Sequence, residues 1–214
     1  MVKHPAVALC SVGDEVLRGD VRDTNGDFLG QELQRLGFRV VGRTLLPDDE
    51  ESLVAALQWT ALRTDLVVVS GGLGATPDDC TREAIARAVD QPLYVSEPHY
   101  AHVRRLYAGW GVPLPKAAVR QALAPRGAQI LENPVGSAAG FLCRSQGGWM
   151  AALPGVPAEM EAMYRQSLVP LLKELFPELP SVTRTEFMLY GITETEVGQI
   201  MADLPDPAVP CRHG

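Results

Sequence analysis

Two hydrophobic rhythms alternate through the first part of the chain. Residues 6–12 and 65–70 are short, nearly unbroken apolar runs, the pattern of strands covered on both faces in a parallel sheet. Between them, Phe28, Leu29, Leu33 and Leu36 recur at helical spacing, which predicts a helix over 25–36 that Gly37 stops. Residues 38–46 read as a further strand, Pro47-Asp48-Asp49 as a turn and cap, and 51–62 as a second helix. From Thr81 onward the pattern is helical again. Strand and helix in strict alternation predict a doubly wound α/β sheet, in which ligands gather outside the carboxyl ends of the strands.

The later pattern is less regular. Residues 97–124 read as helical with a break at Gly111-Val112-Pro113-Leu114-Pro115, forming a lobe or arm beside the sheet. Strands are predicted over 129–131, 140–144 and 149–153, then a long helix over 158–176 with Pro157 in its first turn. Pro177 and Pro180 mark a linker, followed by a strand over 183–190 and a helix over 194–204. One strand and one helix cannot bury a core of their own, so this tail either docks on the first domain or begins a second module, the reading preferred here. The expected organisation is a domain over 1–176, then a linker and partial α+β module over 177–214.

Three loops at predicted strand ends carry acids: Ser11-Val12-Gly13-Asp14-Glu15, Pro47-Asp48, and Gly71-Gly72-Leu73-Gly74-Ala75-Thr76-Pro77-Asp78-Asp79. In the last, Gly71, Gly72 and Gly74 let amides approach an anion that bulkier residues would hold away. Asp79 or Thr81 is placed to cap the following helix, whose free amides also favour negative charge. Asp78 and Asp79 would repel a phosphate unless a cation, most simply a divalent metal, lies between them. The same residues also suit a plain tight turn with capping acids. There is no Walker lysine and no G-x-G-x-x-G fingerprint. Convergence of three acidic loops on one sheet edge favours a site, since a turn gives its neighbours no reason to be acidic. Asn133-Pro134-Val135-Gly136-Ser137-Ala138-Ala139-Gly140, built of small residues and turn formers, suits a flat ligand.

Composition narrows the partners. With 214 residues, 46% hydrophobic and 21% charged, the chain can bury one substantial core. A net charge of -7 argues against a nucleic-acid surface, so a polyanionic ligand must be small and locally received. No apolar stretch approaches the roughly 20 residues that span a bilayer, and no signal peptide opens the chain, so a cytoplasmic location is expected. Cys10, Cys80, Cys143 and Cys211 are widely separated, which suggests reduced structural thiols rather than a zinc site or disulfide framework. His99 and His102 can share a helix face but read as ordinary surface.

Together these loops resemble the amino-terminal domain of the competence/damage-inducible protein CinA family. The resemblance rests on Gly13-Asp14-Glu15-Val16-Leu17, Asp23-Thr24-Asn25, the Gly71 to Asp79 loop, Asn133-Pro134-Val135-Gly136 and Leu153-Pro154-Gly155-Val156-Pro157, and covers about residues 5–176. It implies a three-layer α/β/α domain with a mostly parallel sheet, similar to the molybdopterin-binding domains of molybdenum-cofactor biosynthesis proteins. It further implies metal-dependent hydrolysis of ADP-ribose to AMP and ribose 5-phosphate, or, alternatively, molybdopterin or nucleotide binding without catalysis. Carboxylates of those relatives correspond by motif to Asp48 and Asp79. In the enzymatic reading the amides of Gly71, Gly72 and Gly74 and the Thr76 hydroxyl receive the diphosphate. Asp78 and Asp79 hold a divalent metal, while Asp14, Glu15 or Asp48 orients water or completes the metal shell. Gly13 and Gly155 lie in the matching loops, and Asn25 and Ser137 are candidates for sugar or base contacts. A homo-oligomer binding a small nucleotide or pterin, with no nucleic acid and no membrane, is the expected assembly. Ala75 and Ala139 stand where the family usually has proline. The resemblance does not extend to the nicotinamide mononucleotide deamidase domain of many CinA proteins, so that activity is not expected here.

Overall fold

The structure is a computed structural model that describes residues 4–180 and 189–202. The chain separates into two compact units, Met1–Val182 and Thr183–Gly214.

The first unit opens with β1 (Ala6–Val12), a single-turn helix α1 (Asp14–Leu17), α2 (Thr24–Leu36), β2 (Arg39–Leu46), α3 (Glu50–Ala61), β3 (Leu66–Ser70) and α4 (Thr81–Ala88). It continues with β4 (Leu93–Val95), α5 (Glu97–Gly109), a 3-10 segment (Lys116–Ala122), β5 (Leu123–Pro125), β6 (Gln129–Leu131), β7 (Gly140–Arg144), β8 (Trp149–Leu153), α6 (Pro157–Met163) and α7 (Val169–Leu175). The main sheet has six strands in the order β2-β1-β3-β8-β7-β6. β2, β1, β3 and β8 run parallel, and β7 lies antiparallel to both β8 and β6.

The apolar runs become central strands because both faces are covered. Along β1 and β3, Val7, Leu9, Leu66 and Val68 pack with Leu29 and Leu33 of α2 and with Met160, Met163 and Leu172 of the carboxyl-terminal helices. Cys10, Val12, Val67 and Val69 point the other way, onto Leu53 and Leu57 of α3 and Ala84 and Ile85 of α4. The period-two alternation thus makes the three-layer α/β/α arrangement with a mostly parallel sheet.

Local signals set the helix ends. The Asp23 carboxylate caps α2 by accepting from Gly26 N at 2.9 Å, and Gly37, at φ 111°, closes it. Asp49 caps α3 through Ser52 N at 2.8 Å. α4 departs from expectation: Cys80 is its N-cap and no side chain caps it, so neither Asp79 nor Thr81 has that role. The long carboxyl-terminal helix widens into a π segment over Tyr164–Leu168 just before Pro170. Proline has no N–H to give and its ring crowds the carbonyl a turn earlier, and the wider turn absorbs both.

The stretch expected to be helical through residue 124 differs most. It breaks after Gly109, passes through the 3-10 segment, and ends as β5, paired antiparallel with β4 in a two-stranded ribbon. The second unit shows α8 (Glu194–Ala202), where a helix was predicted. The predicted strand over 183–190 lies almost wholly outside the described residues. No helix among the described residues is long and apolar enough to cross a membrane.

Candidate functional site

Parallel pairing brings the carboxyl ends of β1, β2 and β3 to one edge, and the loops leaving them meet there. Gly13 N donates to Leu46 O at 3.1 Å, fastening the first loop to the end of β2. Beyond it, Asp14 and Asp48 each accept the other's backbone N–H: Asp14 N to Asp48 Oδ2 at 2.9 Å, Asp48 N to Asp14 Oδ1 at 3.3 Å. Glu15 folds back over Gly13, where an added Cβ would lie 2.8 Å from Glu15 Oε1.

Asp48 is the electrostatic focus. Burial lifts its carboxyl above the ordinary carboxylate range, the Asp14 N–H partly offsets this, and the charges of Glu15, Asp14 and Asp78 raise it further. Arg18 pairs with Asp14 at 3.3 Å, but no basic side chain among the described residues bonds Asp48, Glu15 or Asp78. Asp78 itself is held below its usual range by the adjacent Thr76 hydroxyl.

The glycine loop turns sharply out of β3. Gly71 and Gly72 have φ of 107° and 64°, and a Cβ on either would collide, with the Val12 carbonyl oxygen and the Thr81 hydroxyl respectively. Asp79 folds back into the loop as a staple. Its carboxylate accepts from Gly74 N at 2.8 Å, from Thr76 N at 2.9 Å and from the Thr76 hydroxyl. Gly71 N is taken by Leu153 O at 3.0 Å. Three of the four donors expected to receive a diphosphate, those of Gly71, Gly74 and Thr76, are therefore spent inside the protein. The amides of Gly72 and Ala75 donate no hydrogen bond among the described residues, whereas that of Asp78 is taken by its own carboxylate.

The expected metal pair is also divided, since Asp79 is engaged by the loop while Asp78 is exposed and adds its charge to the field at Asp48. Among the described residues, no group of three or more His, Cys, Asp or Glu side chains is gathered tightly enough to hold a metal ion unaided.

Asn25 does not cap α2. Its Nδ2 donates to Ser70 Oγ and to Gly155 O, both at 2.8 Å, joining α2 to the ends of β3 and β8. Gly155 also approaches the glycine loop, within 3.4 Å of Gly71 Cα for an added Cβ. Asn25 Oδ1 and Thr81 Oγ1 are buried beside this loop with no partner among the described residues. Ser137 stands on the neighbouring loop, its hydroxyl accepting from Gln121 Nε2 at 2.7 Å and its carbonyl 2.9 Å from His99 Nε2. His99 is thus buried rather than on the surface.

Two arginines escaped the sequence reading. Arg82 lies fully buried beneath the glycine loop, and Arg120 reaches its lip, donating to Thr76 O at 3.2 Å, Asp79 O at 2.8 Å and Glu83 Oε1 at 2.9 Å. Arg82 had one signal, its place at the second position of a helix that follows a glycine turn. Arg120 sits in an irregular segment and had none.

A family model described as "Probable molybdopterin binding domain" matches residues 8–174. The solved structure of CinA from Thermoplasma acidophilum, described as of unknown function, aligns with a TM-score of 0.71 and 32% identity, covering 80% of this chain and 97% of that one. This chain is a CinA-type member of the molybdopterin-binding-domain family. A CinA-like protein of Geobacter sp. strain M21 is 38% identical over 195 residues, covering 91% of this chain and 47% of the relative. The chain thus spans about half the length of that CinA-like relative. A protein of Aeropyrum pernix is 38% identical over 197 residues, or 92% of this chain and 73% of the relative. The molybdopterin biosynthesis enzyme MoaB of Thermus thermophilus shares the fold, with a TM-score of 0.55, 24% identity, and coverage of 83% of this chain and 99% of MoaB.

Proposed function

We propose that this CinA-type domain hydrolyses the diphosphate bond of ADP-ribose or a related nucleotide diphosphate sugar, giving AMP and ribose 5-phosphate. The observation that carries this reading is the meeting of Asp14, Glu15 and Asp78 around a half-buried Asp48 whose carboxyl no basic side chain neutralises. Such a cluster is costly to the fold and is suited to a cation shared with an anionic substrate.

Carboxylate oxygens are the donors hard divalent cations take. Mg²⁺ in particular uses one or two protein carboxylates and fills its shell with substrate phosphate oxygens and water. Asp48, Asp78 and Glu15 fit an ion shared in this way, which needs no closed cage of protein ligands; Asp79, committed to the loop, does not. A bound ion would supply charge neutralisation at the diphosphate and a more acidic water. Of the chain's own groups, the amides of Gly72 and Ala75 orient the diphosphate, and Asn25 Oδ1 and Ser137 face the sugar and base. The raised Asp48 carboxylate is the better proton acceptor of the cluster. Water oxygen attacks one phosphorus as its proton passes to Asp48, and the bridging oxygen leaves with the other phosphate.

The test is ADP-ribose cleavage with added Mg²⁺ or Mn²⁺. Wild type should turn over, and a folded Asp48→Asn should lose about 10²- to 10⁴-fold, the usual worth of a positioned acid or base. Near-normal turnover by that variant would overturn the role of Asp48.

A second reading, a module that binds molybdopterin or a nucleotide without cleaving it, is favoured by the internal use of the Gly71, Gly74 and Thr76 donors. Calorimetry with ADP-ribose and with molybdopterin separates the two: tight binding without turnover supports the module.

A further inference from the structure

Arg82 is the second residue of α4 and only 2% exposed. Its Nη1 donates to Leu73 O at 2.6 Å and Gly74 O at 3.5 Å, Nη2 to Gln121 O at 3.3 Å and Ala139 O at 3.0 Å, and Nε to Leu123 O at 3.1 Å. Every acceptor is a backbone carbonyl, and none is a carboxylate. Burial pushes the guanidinium down to about 10, with Glu83 and Asp79 only partly compensating.

For folding alone this is a poor choice of residue. A cation in the first turn of a helix opposes the helix dipole, and a buried charge with no carboxylate bonded to it is among the costliest groups a core can hold. A long apolar side chain would fill the space without either penalty.

What the guanidinium provides is geometry and charge at the ligand loop. A trans peptide points its N–H opposite to its C=O. Drawing the Leu73 and Gly74 carbonyls inward therefore turns the Gly74 amide toward the Asp79 carboxylate and the Ala75 amide outward, and Ala75 N has no partner among the described residues. The same group reaches the Ser137 loop. Gln121 O accepts from Ala139 N at 3.0 Å as well as from Arg82, and the Gln121 side chain donates to Ser137 Oγ at 2.7 Å. One side chain thus sets the spacing of the two loops that would hold opposite ends of a nucleotide.

We propose that Arg82 is a positioning residue for the anionic ligand: it locks the glycine loop to the Ser137 loop and holds a fixed positive charge beneath the place where the diphosphate is received. This rests on the diphosphate reading above. The experiment uses the full chain, with ADP as the probe and Arg82→Met and Arg82→Lys as variants. Calorimetry should show ADP affinity falling on the order of tenfold or more in Arg82→Met and clearly less in Arg82→Lys, which keeps the charge. A folded Arg82→Met that binds ADP as wild type does, or an equal loss in both variants, overturns the proposal. Should Arg82→Met fail to fold, hydrogen exchange on wild type decides. ADP should slow amides in 71–80, 121–125 and 137–140 together, and protection confined to 71–80 overturns the coupling. A wild-type chain that takes up no ADP overturns the diphosphate reading itself, whereas failure of Arg82 alone leaves wild-type binding intact.

Discussion

Asp79 and Asp48 are both aspartates on loops at the same edge of the sheet, and they are held in opposite ways. Asp79 accepts two backbone amides and a hydroxyl from its own loop, so its charge is met by protein donors and serves to fix a turn. Asp48 accepts one amide and otherwise faces Asp14, Glu15 and Asp78, so its charge is opposed rather than met. A carboxylate that stabilises its surroundings is structural, whereas one kept at a cost to its surroundings is available for chemistry. The motifs that carry the two aspartates do not distinguish them; their partners do.

The comparison can be broken by substitution. Asp79→Ala leaves two loop amides and a hydroxyl without acceptors and should cost about 1–3 kcal/mol in urea unfolding. Asp48→Asn should leave stability unchanged or raised. Equal destabilisation by both would erase the distinction. The pH dependence sharpens it. Asp48 binds its proton more tightly in the folded state than in the unfolded state, so its ionised form detracts from stability above its raised pKa, and the penalty is lifted as pH falls through that value. The melting-temperature advantage of Asp48→Asn over wild type should therefore be greatest at neutral pH and shrink in acid.

A smaller effect of opposite sign comes from His99. Burial lowers its pKa from the ordinary 6.5, so the unfolded chain takes up a proton that the folded chain refuses, and stability falls as pH drops through about that value. His99→Gln should flatten this part of the melting profile and leave the Asp48 part unchanged.

Much of the fold was legible because the central strands are buried on both faces. The runs ending at Val12 and Ser70 and the helical spacing of Leu29, Leu33 and Leu36 describe single environments that a short window captures. β4 and β5 were not legible, because three-residue strands carry too little pattern to outweigh the helical composition around them. α1 was missed for the same reason, being only four residues long. At the site, the convergence of the Asp14, Asp48 and Asp78 loops followed from topology. The inward turn of Asp79 and the reach of Arg82 to Ala139 did not, since both depend on where distant backbone carbonyls and amides lie.

The reciprocal bonds between Asp14 and Asp48 make these two acids one ring rather than two independent ligands. Removing either carboxylate strips a backbone amide of its partner on the other's loop, so each single change already disturbs both positions. The two residues are in direct contact, so substitutions at both should be measurably non-additive. Drift at one of these positions would be constrained by the other, and the loops after β1 and β2 would tolerate change only as a pair.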